Sequence, residues 1–131
     1  MSSGDAVGEA THLFVYGTLR PGEVRWHHLE PYVVADVPAV DTAVAGDLYD
    51  TDLDYPAAMF GGQSRILGRV YQLRADRLVE GLAHLDEVEG AVRGLYRRVV
   101  LTTGNGVRVF AYEGGDGLSL TPIASGDWLA R

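Results

Sequence analysis

Only one stretch of this chain carries a sustained helical period. Leu78, Leu82 and Leu85 fall at i, i+4 and i+7, a single apolar stripe along one helix face. Elsewhere the apolar residues come in short runs punctuated by glycine and proline, so most of the remaining structure has to come from strands. Extending the stripe to i+11 reaches Glu89, whereas Glu87 falls on the opposite face and reads as solvated. Gly90 then supplies the left-handed position at which helices end. A carboxylate in that place feels both burial and the negative end of the helix dipole. Both disfavour its charged form and raise its pKa, which is what a general base near neutral pH requires. On the residues alone two outcomes stay open. Either Glu89 follows the leucines inward, or the helix frays before it and the side chain turns to water.

Five segments read as strands: Leu13 to Tyr16, Val37 to Tyr49, Ile66 to Leu73, Tyr96 to Thr103 and Val107 to Glu113. The last two are joined around Gly104-Asn105-Gly106, and Asn-Gly is the preferred pair for a tight hairpin turn. Val107, Val109 and Ala111 share one face of that hairpin; Arg108, Phe110 and Tyr112 share the other. Gly46 predicts a bend or bulge in the second strand, and Gly61-Gly62 a turn. Glu23 to Val34, interrupted by Pro31, reads as a short helix or helical turn, and Asp76 as the cap of the long helix. Asp50 to Asp54 is an acidic turn. It lacks the glycine and the twelfth-position glutamate of a calcium loop, with Tyr55 and Gly61 in those places. Residues 1–11 read as a flexible N-terminal tail and 12–131 as one domain, in which Ile123 and Trp128 dock an otherwise loop-like end. Strands, one helix and 17 glycines to supply bends argue for an α+β fold on a small curled sheet or barrel.

The apolar run Leu13-Phe14-Val15-Tyr16 stops abruptly at Gly17, and Pro21-Gly22 closes a turn shortly after. Without a Cβ, Gly17 lets a ligand approach the backbone amides of Thr18 and Leu19, and consecutive amides of this kind suit a carboxylate or phosphate. A plain strand-to-turn junction is the other reading of the same residues.

Composition removes several chemistries. With 11 basic against 18 acidic residues the formal charge is −7, a poor surface for nucleic acid or an anionic membrane. The absence of cysteine excludes disulfides, thiolate metal sites and a cysteine nucleophile. His27 and His28 are adjacent, and with His12 and His84 they show no metal-ligand spacing, so no metal and no cofactor is expected. No apolar run approaches a membrane span and the N-terminus lacks a secretory pattern, so the expected location is the cytoplasm. The chain is expected as a monomer or weak homodimer.

Val15-Tyr16-Gly17-Thr18-Leu19-Arg20-Pro21-Gly22 resembles the signature loop of the gamma-glutamylcyclotransferase-like superfamily, in particular its short gamma-glutamylamine cyclotransferase-like (avirulence-induced-gene-like) branch. Leu85-Asp86-Glu87-Val88-Glu89-Gly90 with Leu95-Tyr96-Arg97-Arg98 is similar to that family's Leu-Asp-x-x-Glu-Gly and Tyr-x-Arg block. Tyr55-Pro56-Ala57 and Ser125-Gly126-Asp127-Trp128 also match family segments, so the likeness runs from about His12 onward. It implies a small mixed β-barrel with flanking helices and a pocket at one end. It further implies Glu89 as the catalytic glutamate and a loop that holds the substrate's γ-glutamyl head through its backbone.

The implied reaction is a metal-independent intramolecular aminolysis. The α-amine of a γ-glutamyl amine, or of a γ-glutamyl-protected compound, attacks its own γ-carbonyl and releases an amine and 5-oxoproline. Glu89 acts as general acid and base. Backbone amides at Gly17, Thr18 and Leu19 fix the substrate carboxylate, and Tyr16, Tyr96 and Tyr112 are candidate pocket walls or hydroxyl donors, with core packing the alternative for each. Thr18-Leu19 fits the short branch, whereas glutathione-cycle enzymes carry Ser-Asn there. Ala91-Val92-Arg93-Gly94 replaces the proline-containing spacer of gamma-glutamylamine enzymes, which leaves the leaving amine open. Two other functions remain: a non-catalytic domain binding a small carboxylate on the same fold, and a hydrolase in which Glu89 activates water.

Overall fold

The computed structural model describes residues 11–16, 26–50, 56–88, 96–114 and 121–128. Strand β1 (His12–Val15) is followed by a short helix α1 (Trp26–Leu29) and a 3-10 turn over Glu30–Tyr32, where Pro31 fits because its missing N–H falls in the first turn. Two long strands come next, β2 (Val40–Asp50) and β3 (Pro56–Gln72). A 3-10 turn at Ala75–Arg77 leads into helix α2 (Leu78–Val88). Strands β4 (Tyr96–Thr102), β5 (Arg108–Gly114) and the two-residue β6 (Thr121–Pro122) complete the described chain.

Among the described residues the strands form one sheet in the order β4-β5-β1-β3-β2-β6. Strands β1 and β5 run parallel and the other neighbours antiparallel, so the sheet is mixed. Alternation along each strand divides the core in two. Leu13, Val15, Tyr71, Tyr96 and Tyr112 pack with Leu29, Leu82 and Leu85 of the helices. Phe14, Tyr16, Val44, Leu48, Ile66, Val109 and Ala111 face the other way and gather around Ile123 and Trp128. Val109 of β5 and Val44 of β2 share that second cluster although β1 and β3 separate their strands in the sheet. The sheet is therefore curled into a half-barrel. The β4–β5 turn helps to close it, because the Gly104 amide donates to the Ala43 carbonyl at 3.0 Å. The expected α+β curled sheet with flanking helices is thus what forms.

Several local expectations are corrected. Asp76 does not cap α2: its carboxylate is taken by Arg74 (Nε 3.2 Å, Nη2 2.8 Å), and no side chain caps the turn that precedes the helix. Gly61-Gly62 is not a turn between strands. It lies in a bulge of residues 61–64 inside the continuous strand β3, because Ala45 pairs with Arg65 while Gly46 pairs with Phe60. The strand expected from Val37 begins at Val40, and Thr121–Pro122 adds a short strand to a region expected to be loop. Thr11, assigned to the tail, accepts from the Leu73 amide at 2.8 Å; residues 1–10 lie outside the described residues. Among the described residues no helix is long and apolar enough to cross a membrane.

Candidate active site

Topology brings Tyr16, Tyr96 and Tyr112 to one end of the sheet. Because β1 and β5 are parallel, with Leu13 opposite Phe110, their C-terminal ends emerge side by side. Antiparallel β4 starts there, with Tyr96 opposite Gly114 and Arg98 opposite Tyr112. Antiparallel β3 contributes Phe60, whose ring meets the Tyr16 ring edge-on at 6.1 Å. Helix α2 ends at the same place, since Asp86 reaches both β4 and β5. Tyr16, Tyr96 and Tyr112 are all buried, at 6%, 4% and 2% exposure, and pack in the core, Tyr16 in one cluster and Tyr96 and Tyr112 in the other. Gly17, Thr18, Leu19 and Glu89 lie outside the described residues; Tyr16 precedes the first three in sequence and Val88 precedes the last.

A hydrogen-bonded chain runs through this end. The Tyr16 hydroxyl donates to the Tyr112 carbonyl. The Tyr112 hydroxyl donates to Asp86 Oδ1 at 2.7 Å, so that hydroxyl proton is already directed at a carboxylate. Asp86 Oδ2 lies 3.3 Å from Arg98 Nη1, and the Arg98 guanidinium sits 5.4 Å from the centre of the Phe110 ring. On the concave side Glu113, only 8% exposed, takes Arg97 on one oxygen and the Phe60 amide on the other. Each carboxylate thus has partners that satisfy its lone pairs as it leaves water.

Sequence reasoning did not single out Asp86, Arg98, Arg97 or Glu113, although signals for them exist. Leu78, Leu82 and Asp86 are spaced i, i+4, i+8, which puts Asp86 on the edge of the apolar stripe. A tight turn at Asn105-Gly106 dictates that Arg97 faces Glu113 across the hairpin. Three of the four histidines gather elsewhere: His27 packs on His28, His28 Nδ1 and His84 Nε2 are 3.0 Å apart, joining α1 to α2, and the tilted Tyr32 ring lies 5.8 Å from that of His84. Among the described residues no three His, Asp or Glu side chains come together as a metal site. An open cleft of about 520 Å³ lies between Gly46–Tyr49, Gln63–Arg65 and residues 122–126, and none of the candidate site residues lines it.

Residues 13–130 match the family model described as gamma-glutamyl cyclotransferase, AIG2-like. The chain is similar to the uncharacterized protein PH0828 from Pyrococcus horikoshii, at 25% identity and a TM-score of 0.67, over 91% of this chain and 90% of that one. It is similar to YkqA from Bacillus subtilis at 25% identity and a TM-score of 0.65, over 90% of this chain but 39% of YkqA. A structure titled gamma-glutamyl cyclotransferase shares the fold, with 16% identity and a TM-score of 0.53 over 86% of this chain and 69% of that one. No curated protein matches. The family match spans the strands, α2 and the converging end of the sheet, and the chain belongs to the gamma-glutamyl cyclotransferase, AIG2-like family.

Proposed function

We propose that the protein is a cyclotransferase that releases 5-oxoproline from a γ-glutamyl amine or a γ-glutamyl-protected compound. The observation that carries the reading is the convergence of Tyr16, the end of α2, Tyr96 and Tyr112 on one end of the half-barrel, in a chain of this family. In the proposed reaction the substrate's α-nitrogen attacks its own γ-carbonyl carbon. The bond from that carbon to the leaving amine breaks as the five-membered ring closes. Glu89 takes the proton from the attacking nitrogen and returns it to the leaving nitrogen, so no proton is gained or lost overall. Amides at Gly17, Thr18 and Leu19 hold the α-carboxylate, keeping the chain folded for an attack that is unimolecular once bound. The nucleophile belongs to the substrate, which explains how a chain without cysteine can serve.

The test is release of 5-oxoproline from a panel of γ-glutamyl amines and γ-glutamyl amino acids, with Glu89→Gln alongside. Free glutamate in place of 5-oxoproline points to the hydrolase. Binding of a small carboxylate without turnover points to the non-catalytic domain.

A further inference from the structure

We infer that Tyr112 is a positioning residue that keys the two halves of the candidate site to each other. Its side chain is tied to α2 and its main chain to β1. The hydroxyl donates to Asp86 at 2.7 Å, and Asp86 stands three residues before Glu89 in the sequence. The carbonyl accepts from the Tyr16 hydroxyl, and Tyr16 directly precedes Gly17. Both tyrosines are nearly removed from solvent, so neither bond is readily exchanged for one to water. A hydroxyl donating to a carboxylate is also among the stronger hydrogen bonds. Arg98 holds the second Asp86 oxygen from β4, which fixes the carboxylate against rotation.

The two ties serve different parts of the reaction. Asp86 and the Tyr112 hydroxyl fix the azimuth and reach of α2, the element that precedes the proposed proton-transferring Glu89 in the sequence. The Tyr16 hydroxyl fixes the end of β1, which precedes the proposed substrate-holding residues Gly17, Thr18 and Leu19 in the sequence. This inference rests on the proposed cyclotransferase reading, and it predicts a split in the kinetics. Loss of the α2 tie lowers kcat and leaves KM near its original value, because the general base acts in the transition state. Loss of the β1 tie raises KM.

The experiment measures 5-oxoproline kinetics and thermal unfolding for the wild type, Glu89→Gln, Tyr112→Phe, Asp86→Ala, Asp86→Asn and Tyr16→Phe. Tyr112→Phe and Asp86→Ala are each expected to lower kcat by about 10- to 100-fold, the scale of a misplacement near 1 Å. Their double variant is expected to lose no more than the worse single, since both remove one bond. Asp86→Asn keeps an oxygen for the hydroxyl and is expected to recover part of the rate. Tyr16→Phe is expected to raise KM with a smaller effect on kcat. Should Tyr112→Phe fail to fold, Asp86→Ala carries the test, because its side chain is 26% exposed and it breaks the same bond. If the wild type turns over and Glu89→Gln does not, but Tyr112→Phe and Asp86→Ala keep the wild-type kcat, the positioning role is overturned and the reaction stands. Additive losses in the double variant, or a lower unfolding temperature without the kinetic split, overturn it equally. Absence of product from the wild type across the panel overturns the reaction and this role together.

Discussion

Arg97 and Glu113 face each other across β4 and β5, and Arg97 places both Nε (3.0 Å) and Nη2 (2.7 Å) on a single Glu113 oxygen. The other oxygen accepts from the Phe60 amide at 3.2 Å. Phe60 lies in β3 beyond the last described β1 pair, Val15 with Arg69. Glu113 therefore stitches β5 to β3 at the mouth of the half-barrel.

The two partners differ in exposure, 11% for the Glu113 side chain and 74% for that of Arg97, so the cost of losing Glu113 lies mainly in the half-buried Phe60 amide left behind. Glu113→Ala is expected to destabilise by about 1 kcal/mol, the lower end of the penalty for an unsatisfied donor because the Phe60 amide is only half-buried. Glu113→Gln keeps a carbonyl oxygen for Phe60 and is expected to lose clearly less. Urea unfolding of the two variants separates them; equal losses would mean that the Phe60 contact contributes nothing.

Two glycines provide a controlled comparison at the other side of the barrel. Gly106 has φ +86° with open space around it, whereas Gly126 has φ +68° and a Cβ there would lie 2.0 Å from the Arg65 carbonyl oxygen. Both alanine variants carry the strain of a left-handed backbone, about 1 kcal/mol. Gly126→Ala must also push residues 123–128 off β3, breaking the bond from the Leu67 amide to the Gly126 carbonyl (2.8 Å) and loosening Trp128. The expected total for Gly126→Ala is about 3 kcal/mol or more once overpacking is added. Similar unfolding midpoints for the two variants would show that the tail does not brace the core.

The surface pairs of α2 give a pH dependence of defined sign. The Arg77 guanidinium bonds the Glu80 carboxylate at 2.7 Å and holds its pKa below the ordinary 4.5; Arg74 does the same to Asp76. A carboxylate lowered on folding adds stability that is complete above its unfolded pKa and is lost as pH falls through the folded one. Wild type and Glu80→Gln should therefore differ most above the unfolded value and converge as the medium becomes more acidic. The pairs are exposed, so the difference should be small and shrink in high salt. Thermal unfolding across acidic pH reads it; a gap that widens as pH falls contradicts the assignment.

What the sequence made legible follows from local rules. The stripe of Leu78, Leu82 and Leu85 became the buried face of α2, with Leu85 fully buried and Leu82 at 9%. Alternation placed Val109 and Ala111 on one face and Phe110 and Tyr112 on the other, and Gly46 marks the expected register shift. Tertiary competition decided the remainder. Asp76 lost its capping role to Arg74, two residues away. The 61–64 bulge depends on β2 pairing with both halves of β3, which no window around Gly61-Gly62 contains. Of the candidate site, Tyr16, Tyr96 and Tyr112 lie near one end of the sheet, Tyr16 on one face and Tyr96 and Tyr112 on the other. The partnership of Tyr112 with Asp86 was hidden because it joins residues 26 apart through the packing of α2 on the sheet.

The central claim is the reaction itself. The most direct measurement is 5-oxoproline release by the wild type and by Glu89→Gln under identical conditions, over a panel that varies the leaving amine. The proposed function predicts product from the wild type and a loss of at least ~100-fold in the variant, the scale of removing a general base. Product formed equally well by Glu89→Gln would contradict the role of that residue, and no product from either protein would contradict the cyclotransferase assignment.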